Sequence, residues 1–567
     1  MAGGLLNIVS VGNTNVILTG NPTKTFFKCT YSKYTNFGLQ KFRIDYDGMR
    51  DLRLTDPSTF TFKIPRYAEL LMDTYLVLTI PDIWSPFYHP CDSNGNQWAP
   101  YDFKWIDDLG THMIKDITIT CGSLTLQKYS GEYLAAMVER DFHGEKKRLF
   151  NAMTGNIPEL NDPANAFGRQ NTYPSAVYTD SSVGAEPSIR GRDIFVPINT
   201  WFTLDSRCAF PLISLQYNEL VVTVTIRPIQ ELFKVRDVFD ASNNFPYMQP
   251  DFNQSQFNMY RYLQTPPSIY ISPSYYSNTT TTWNADVHLI STYAFLSKEE
   301  RELFASQEQL YLVKDVFEYQ FQNVTGSKIV KLTSNGMIAS WMWFMRRNDA
   351  YMRNEWSNYT NWPYKNIPQD ADIAPATTSY TSGDNFEYTD DTNSGTTTVY
   401  GPGKNPPSTD YPYGKNTGFF YSGDFFTQNR KEILETAGIK LNGDYRENVM
   451  TRGIYDYVEK YTRTQSFAKE GLYCYNFCLN TSPFEYQPSG AINMSKFKTV
   501  ELEITTFVPS INKNASYDFF CDASGNTIGV RKQNWQLYDY NYDMVLYEER
   551  YNVLTFIGGN CGMLYAR

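Results

Sequence analysis

Apolar and polar residues alternate with a period of two along much of the chain. Val500, Leu502 and Ile504 fall on one face of a segment whose other face carries Glu501, Glu503 and Thr505, the pattern of a half-buried strand. The stretch Phe60–Ile83 reads as two strands separated by a Pro65-Arg66-Tyr67 break. In the second of them Tyr75, Val77 and Thr79 oppose Leu76, Leu78 and Ile80. Ile117, Ile119 and Cys121, then Leu124 and Leu126, flank Gly122-Ser123 and predict a hairpin. Further strands are expected over Thr25–Thr30 after an Asn21-Pro22 turn, within Phe210–Ile226, around Leu312–Phe321, Ile329–Leu332 and Ile338–Met345, and in the closing Tyr547–Arg567. Gln487-Pro488-Ser489-Gly490 lies between two such segments and reads as a tight connection, because proline presets φ and glycine tolerates positive φ. Helical periodicity is confined to short pieces. One is Glu132–Met153, whose Glu145-Lys146-Lys147-Arg148 run reads as a solvated face. Another is Leu296–Ala305, with Ser297 as N-cap and acidic residues in its first turn. Glu432–Thr462 reads as mixed helix and loop, broken at Gly438, Gly443 and Gly453.

The all-β reading agrees with the composition: 44 tyrosines and 37 phenylalanines suit pleated surfaces, and 34 glycines and 29 prolines supply turns. At 567 residues the chain has room for several domains. An arm over residues 1–24, a first unit over 25–230, a linker over 231–282 and a second unit over 283–567 are expected. A surface insertion is placed at about 348–418. Its centre, 369–416, has only Ile373 and Val399 as aliphatics and carries seven acidic residues against two lysines, so it cannot build a core of its own.

The charge balance, 50 basic against 60 acidic residues, disfavours wrapping nucleic acid by phosphate neutralisation. The first residues lack a charged region followed by a continuous apolar core, so no secretory leader is expected. No stretch approaches the ~18 apolar residues of a membrane span. The eight cysteines are scattered without a CxxC pair and read as buried reduced thiols.

Catalytic and metal chemistry finds little support. His89, His112, His143 and His288 show no metal-ligand spacing, and no HExxH, GxSxG, P-loop or GxGxxG motif occurs. Asp92-Ser93-Asn94-Gly95-Asn96 lacks the glycine position and terminal glutamate of a calcium loop. No catalytic residue, cofactor or metal is therefore expected. Paired carboxylates of the glycosidase kind stay open, since their separation is spatial. Sequons start at Asn253, Asn278, Asn323, Asn358, Asn480, Asn493 and Asn514; Asn278, Asn323 and Asn358 are the glycosylation candidates.

Several phrases carry a family likeness in register. They are Thr19–Phe37 with Asn21-Pro22, Ile64-Pro65-Arg66-Tyr67, and Trp105–Leu134 ending in Gly131-Glu132-Tyr133-Leu134. Pro211 with Leu215-Gln216-Tyr217 follows, then Asn476–Phe497 with Pro488-Ser489-Gly490, and finally the glycine-rich close. Together they resemble the major capsid proteins of nucleocytoplasmic large DNA viruses, and Arg353–Tyr364 resembles the mimivirus-like branch.

The resemblance implies an all-β fold of two consecutive eight-stranded jelly-roll sandwiches, with long loop insertions and a few short helices. It implies a structural, non-enzymatic role: a homotrimeric, pseudo-hexagonal capsomer tiling an icosahedral shell. The expected partners are the chain itself, neighbouring capsomers, and minor capsid and penton proteins. An inner membrane lies nearby without direct insertion, and nucleic acid is not a partner. The location implied is the virion capsid, assembled in host cytoplasm. The alternative is a carbohydrate-active or glycan-binding β-sandwich.

Overall fold

The computed structural model describes residues 16–48, 51–85, 87–88, 99–169, 173–174, 176, 186–237, 246–266, 276–365, 430–510, 518–521, 527–531 and 536–565. The centre of the expected insertion, Cys91, Asn514 and the Asp92–Asn96 loop lie outside them.

The first half supplies β1 (Phe37–Ile44), β2 (Ser58–Lys63), β3 (Leu70–Ile80), β4 (Phe103–Trp105), β5 (Ile114–Cys121) and β6 (Leu124–Tyr129). Two helices follow, α1 (Gly131–Asp141) and α2 (Gly144–Thr154). Then come β7 (Arg192–Pro197), β8 (Phe210–Pro211), β9 (Leu220–Ile226), β10 (Phe233–Arg236), β11 (Tyr247–Met248) and β12 (His288–Leu296). One sheet runs β1-β12-β3-β8 with β7 also beside β3; the facing sheet runs β2-β9-β5-β6. Leu76, Leu78 and Ile80 of the first sheet share a core with Phe60, Phe62, Ile119, Val222 and Val224 of the second. The alternation in β2 and β9 is what delivers those side chains to one face.

The second half continues with α3 (Lys298–Ser306), β13 (Gln309–Phe321), β14 (Ser327–Leu332), β15 (Met337–Arg347), β16 (Leu434–Leu441), β17 (Asp444–Thr451) and β18 (Leu472–Asn476). It closes with β19 (Ile492–Asn493), β20 (Val500–Thr506), β21 (Tyr542–Ile557) and β22 (Asn560–Met563). Its sheets run β13-β21-β15-β18, with β19 and β22 attached, and β14-β20-β16-β17. Each half is thus a two-sheet antiparallel sandwich, and the chain is a double jelly roll.

β15 reads Met-Ile-Ala-Ser-Trp-Met-Trp-Phe-Met rather than alternating, because both of its faces are covered. Trp341, Trp343 and Met345 point into the second roll's own core, together with Met544 and Leu546 of β21. Met342, Phe344, Val545 and Tyr547 point the other way and join the core of the first roll. The two rolls are therefore packed through a shared sheet.

Several expectations are corrected. Thr25–Thr30 forms no strand; it is exposed, and the first strand among the described residues is β1. Cys29 on that arm is exposed rather than buried. The proposed linker contributes β10 to a small sheet β11-β10-β4, and all four β10 residues are buried. The second unit does not begin at Trp283, since β12 pairs with both β1 and β3 of the first roll. Residues 348–364 are no surface insertion: Arg353, Asn354, Glu355, Asn358 and Asn361 are all buried. Glu432–Thr462 opens with the β16–β17 hairpin, whose Asn442-Gly443 turn takes φ of 55° and 91°, the positive values a type I′ turn needs. Only its end is helical, at Ile454–Arg463. The Pro488 segment is not a tight hairpin: β18 and β20 belong to different sheets, and the stretch carries the chain between them. Ser297 holds the N-cap position of α3, but its side chain makes no cap bond.

Candidate functional site at the seam between the rolls

The seam is organised by α1. Ser130 starts the helix by accepting from the Tyr133 N–H at 3.4 Å. Gly131 then brings the backbone so close to the β5 side of the roll that a Cβ there would lie 1.9 Å from the Thr111 carbonyl and 2.5 Å from that of Ile114. This close approach aims the helix at β15 and β21. Tyr133 donates to Glu549 at 2.9 Å, and its ring meets Tyr547 edge-on at 5.4 Å.

Arg140, wholly buried, donates to Asp141 at 2.7 and 3.0 Å, to Glu549 at 2.9 Å and to Ser340 Oγ at 3.1 Å. Ser340 Oγ in turn donates to the other Glu549 oxygen at 2.7 Å, and Thr481 donates to Asp141 at 2.6 Å. The network therefore joins both rolls, with one guanidinium shared between two carboxylates. Burial alone would raise the Glu549 carboxyl; the opposing charges of Arg140 and Lys314 hold it down at about 2. Glu132 repeats the device, accepting from Arg227 of the first roll at 3.2 Å and Arg346 of the second at 3.1 Å. Burial pushes its carboxyl up, and the two arginines bring it to about 2.

A strap, residues 353–364, crosses the same seam. Asn354, at φ 52°, donates to the carbonyls of Gln230 and Phe233 at 2.8 and 2.7 Å. Glu355 accepts from Lys234 at 2.5 Å, Trp356 donates to the Glu231 carbonyl at 3.0 Å, and Tyr364 donates to the Tyr247 carbonyl at 2.6 Å. Lys469 reaches Asp108 at 3.0 Å.

The structure gathers some of the motif residues at a second part of the seam. Tyr293 donates to the Pro65 carbonyl at 2.9 Å, and Tyr67 packs 4.6 Å from Phe42 and 5.6 Å from Tyr293. Arg66 donates to the Asn218 carbonyl at 2.7 Å. The Gly559 carbonyl, in the turn between β21 and β22, accepts from the Gln216 N–H at 2.9 Å and the Tyr217 N–H at 3.4 Å. Pro211 sits apart in β8, opposite Leu70. Asn21 and Pro22 are exposed on the arm. Pro488 lines a cleft of about 80 Å³ with Tyr133, Lys314 and Tyr551. Ser489 closes a loop there by accepting from the Asn480 N–H at 2.9 Å and donating to the Asn480 carbonyl at 2.8 Å, and Gly490 has φ 132°.

Among the sequons, Asn278 and Asn323 are exposed. Asn358 is corrected: it is buried, donates to the Trp362 carbonyl at 2.9 Å and accepts from Thr360, so its amide is not presented to a glycosyl donor. His112 is buried beside Thr111, and burial lowers its imidazole to about 4. Among the described residues no group of three or more His, Cys, Asp or Glu is placed to hold a metal ion. Sequence reasoning missed Arg140, Asp141, Ser340 and Glu549. The signal available was Glu548-Glu549 directly after the apolar Met544–Tyr547 stretch of β21, since buried charge needs a partner.

Comparisons with known proteins agree with this architecture. Residues 300–562 match the family model described as large eukaryotic DNA virus major capsid protein. Residues 25–263 match the model of the major capsid protein N-terminus. The major capsid protein of Phaeocystis pouchetii virus is 22% identical over 607 aligned positions, covering 100% of both chains. That of Paramecium bursaria Chlorella virus 1 is 23% identical over 579, again covering 100% of both. The solved structure of PBCV-1 VP54, fitted into a reconstruction of the virophage Sputnik, superposes with a TM-score of 0.57 at 19% identity, covering 96% of this chain and 100% of that one.

Proposed function

Because the chain belongs to the major capsid proteins of large eukaryotic DNA viruses, we propose that it acts as a homotrimeric building block whose six jelly rolls make one pseudo-hexagonal capsomer of an icosahedral shell. The observation that carries this reading is the sheet shared between the rolls. Two sandwiches fixed rigidly side by side form a plate-like unit, and three such units around an axis approximate a hexagon that identical neighbours can meet on every side. Capsid formation is a mechanical task, and the seam supplies rigidity rather than a reacting group.

The exposed residues 16–36, which carry the arm past its expected end at residue 24, support a further part of the reading. Val16, Ile17, Leu18, Phe26, Phe27, Tyr31 and Tyr34 all project into solvent, an apolar surface that an isolated chain would not retain without a partner. We place this arm on the inner face of the capsomer, ordering against neighbouring subunits or minor capsid proteins, with penton proteins closing the vertices and an inner membrane beneath. Assembly takes place in host cytoplasm.

Light scattering on the purified protein tests the trimer. The expected mass is three times that of the 65.5 kDa chain, with hexagonal outlines in electron micrographs. A stable monomer that hydrolyses glycans would overturn this reading in favour of the carbohydrate-active alternative.

A further inference from the structure

The second gathering point of motif residues contains two thiols that no other part of the fold employs. Cys121 ends β5 in the first roll and is buried; Cys561 lies in β22 of the second roll and is partly exposed. Their side chains are within hydrogen-bonding reach of each other. The backbone on both sides holds them there. Gly122, next to Cys121, donates to the Glu219 carbonyl at 3.0 Å. Asn218 donates to the side chain of Asn560, next to Cys561, at 3.3 Å. Gly559 accepts from Gln216, and Arg66 clamps the Asn218 carbonyl. Residues 216–219 thus act as a common cradle for the ends of β5 and the β21–β22 hairpin.

We propose that Cys121 and Cys561 are an oxidation site, at which a disulfide forms within one chain and ties the first roll to the second. The chemistry is thiol–disulfide exchange with a disulfide oxidant, R′SSR′. Cys121 takes the Cys561 proton across their hydrogen bond as the accessible Cys561 sulfur attacks R′SSR′, giving a mixed disulfide and one R′S⁻, to which Cys121 passes the proton on. The Cys121 thiolate then attacks the Cys561 sulfur, forming the Cys121–Cys561 bond and releasing the second R′S⁻. The two protons lost by the cysteines end on two R′SH, and two electrons pass from the protein to the oxidant. The hydrogen bond from Cys561 lowers the Cys121 thiol, with burial opposing and the Arg66 guanidinium assisting, while the same bond and burial push the Cys561 thiol far up; the pair therefore holds its thiolate on Cys121, which serves as base to Cys561 and then resolves the mixed disulfide. Such a bond closes a loop of about 440 residues, the long-loop case in which cross-linking constrains the unfolded chain most.

The test treats the folded, full-length protein with oxidised glutathione, quenches with an alkylating agent and digests without reductant. The expected product is a peptide pair joining Cys121 to Cys561, two hydrogens lighter than the sum of its parts and separated by reductant. The oxidised protein should migrate faster than the reduced one on a denaturing gel and melt several degrees higher. Cys561→Ser, a change at a partly exposed position, should abolish both shifts. Exposed Cys29 serves as the reactive control. Glutathionylated Cys29 alongside free, alkylatable Cys121 and Cys561 would overturn the proposal. So would a persistent glutathione adduct on Cys561, or a cross-link between two chains.

Discussion

Arg140 of α1 donates to Glu549 of β21 at 2.9 Å across 409 residues of chain, and both side chains are withdrawn from water. The pair is one of several buried polar contacts across the seam, with Glu132 between Arg227 and Arg346 as another, set among aromatic and aliphatic side chains. An ion pair in such a place adds little net stability over a well-packed apolar substitute, but its geometry admits one docking of the two rolls.

Removing one partner should therefore be costly. Arg140→Met leaves Asp141 and Glu549 buried without their common donor, and a loss of about 3–5 kcal/mol is expected. Denaturant unfolding of the variant measures it. Adding Glu549→Gln to Arg140→Met should recover part of that loss. A single-variant cost below about 1 kcal/mol would show that water reaches the network.

Acid should loosen the fold in two stages. His112 ordinarily titrates near 6.5 and is lowered to about 4 by burial. The unfolded chain then takes up this proton first, and stability falls as pH drops from 6.5 towards 4. Glu132 and Glu549, lowered from 4.5 to about 2, contribute stability that is present above 4.5 and lost as pH falls from there to about 2. Each proton contributes a slope of at most about 1.4 kcal/mol per pH unit. Melting temperatures should decline gently below pH 6.5 and more steeply below 4.5. A flat profile between pH 6 and 3 would contradict this assignment of buried charges.

Gly131→Ala should destabilise although alanine is the better helix former by about 1 kcal/mol. The new Cβ meets the Thr111 carbonyl at 1.9 Å and the Ile114 carbonyl at 2.5 Å, so α1 must move off β5 and drag Tyr133 and Arg140 from the seam. A melting temperature at or above that of the parent would refute the close-approach argument.

The strap offers a graded test at Asn354. Asn354→Gly keeps the positive φ and removes two bonds to buried carbonyls, an expected cost of about 1–3 kcal/mol. Asn354→Ala adds the strain of φ 52°, about 1–2 kcal/mol more. Equal losses for the two variants would mean the conformation carries no cost.

The strands were legible where one face meets water. β2, β9 and β20 alternate cleanly because their outer faces are half exposed. The doubly covered β15 was also visible, as a run too apolar to alternate. The β16–β17 hairpin was legible in Asn442-Gly443 and was lost by reading Gly438 and Gly443 as breaks in a helix. The placement of β12 could not be read, because its partners β1 and β3 lie more than 200 residues upstream and pairing at that distance leaves no local trace. The seam stayed hidden for the same reason. Arg140 and Glu132 look like the polar face of a solvated helix until β15 and β21 are folded against them. Of the motif residues, Arg66, Gln216 and Tyr217 proved to be neighbours, whereas Asn21, Pro22 and the Pro488 segment lie elsewhere.

The sheet covered on both faces also has a consequence in time. α1 leaves the ribosome about 400 residues before the end of β21 does. At ~5–20 residues per second this is roughly 20–80 s during which the nascent first roll has no strand to lie against Met137 or Tyr133. During that interval Arg140 and Asp141, without Ser340, Thr481 and Glu549, face water on the same helix, so the charges that later sit at the centre of the seam keep the waiting surface hydrated. The polar network thus serves the unfinished chain as a solubilising face before it serves the finished one as a lock.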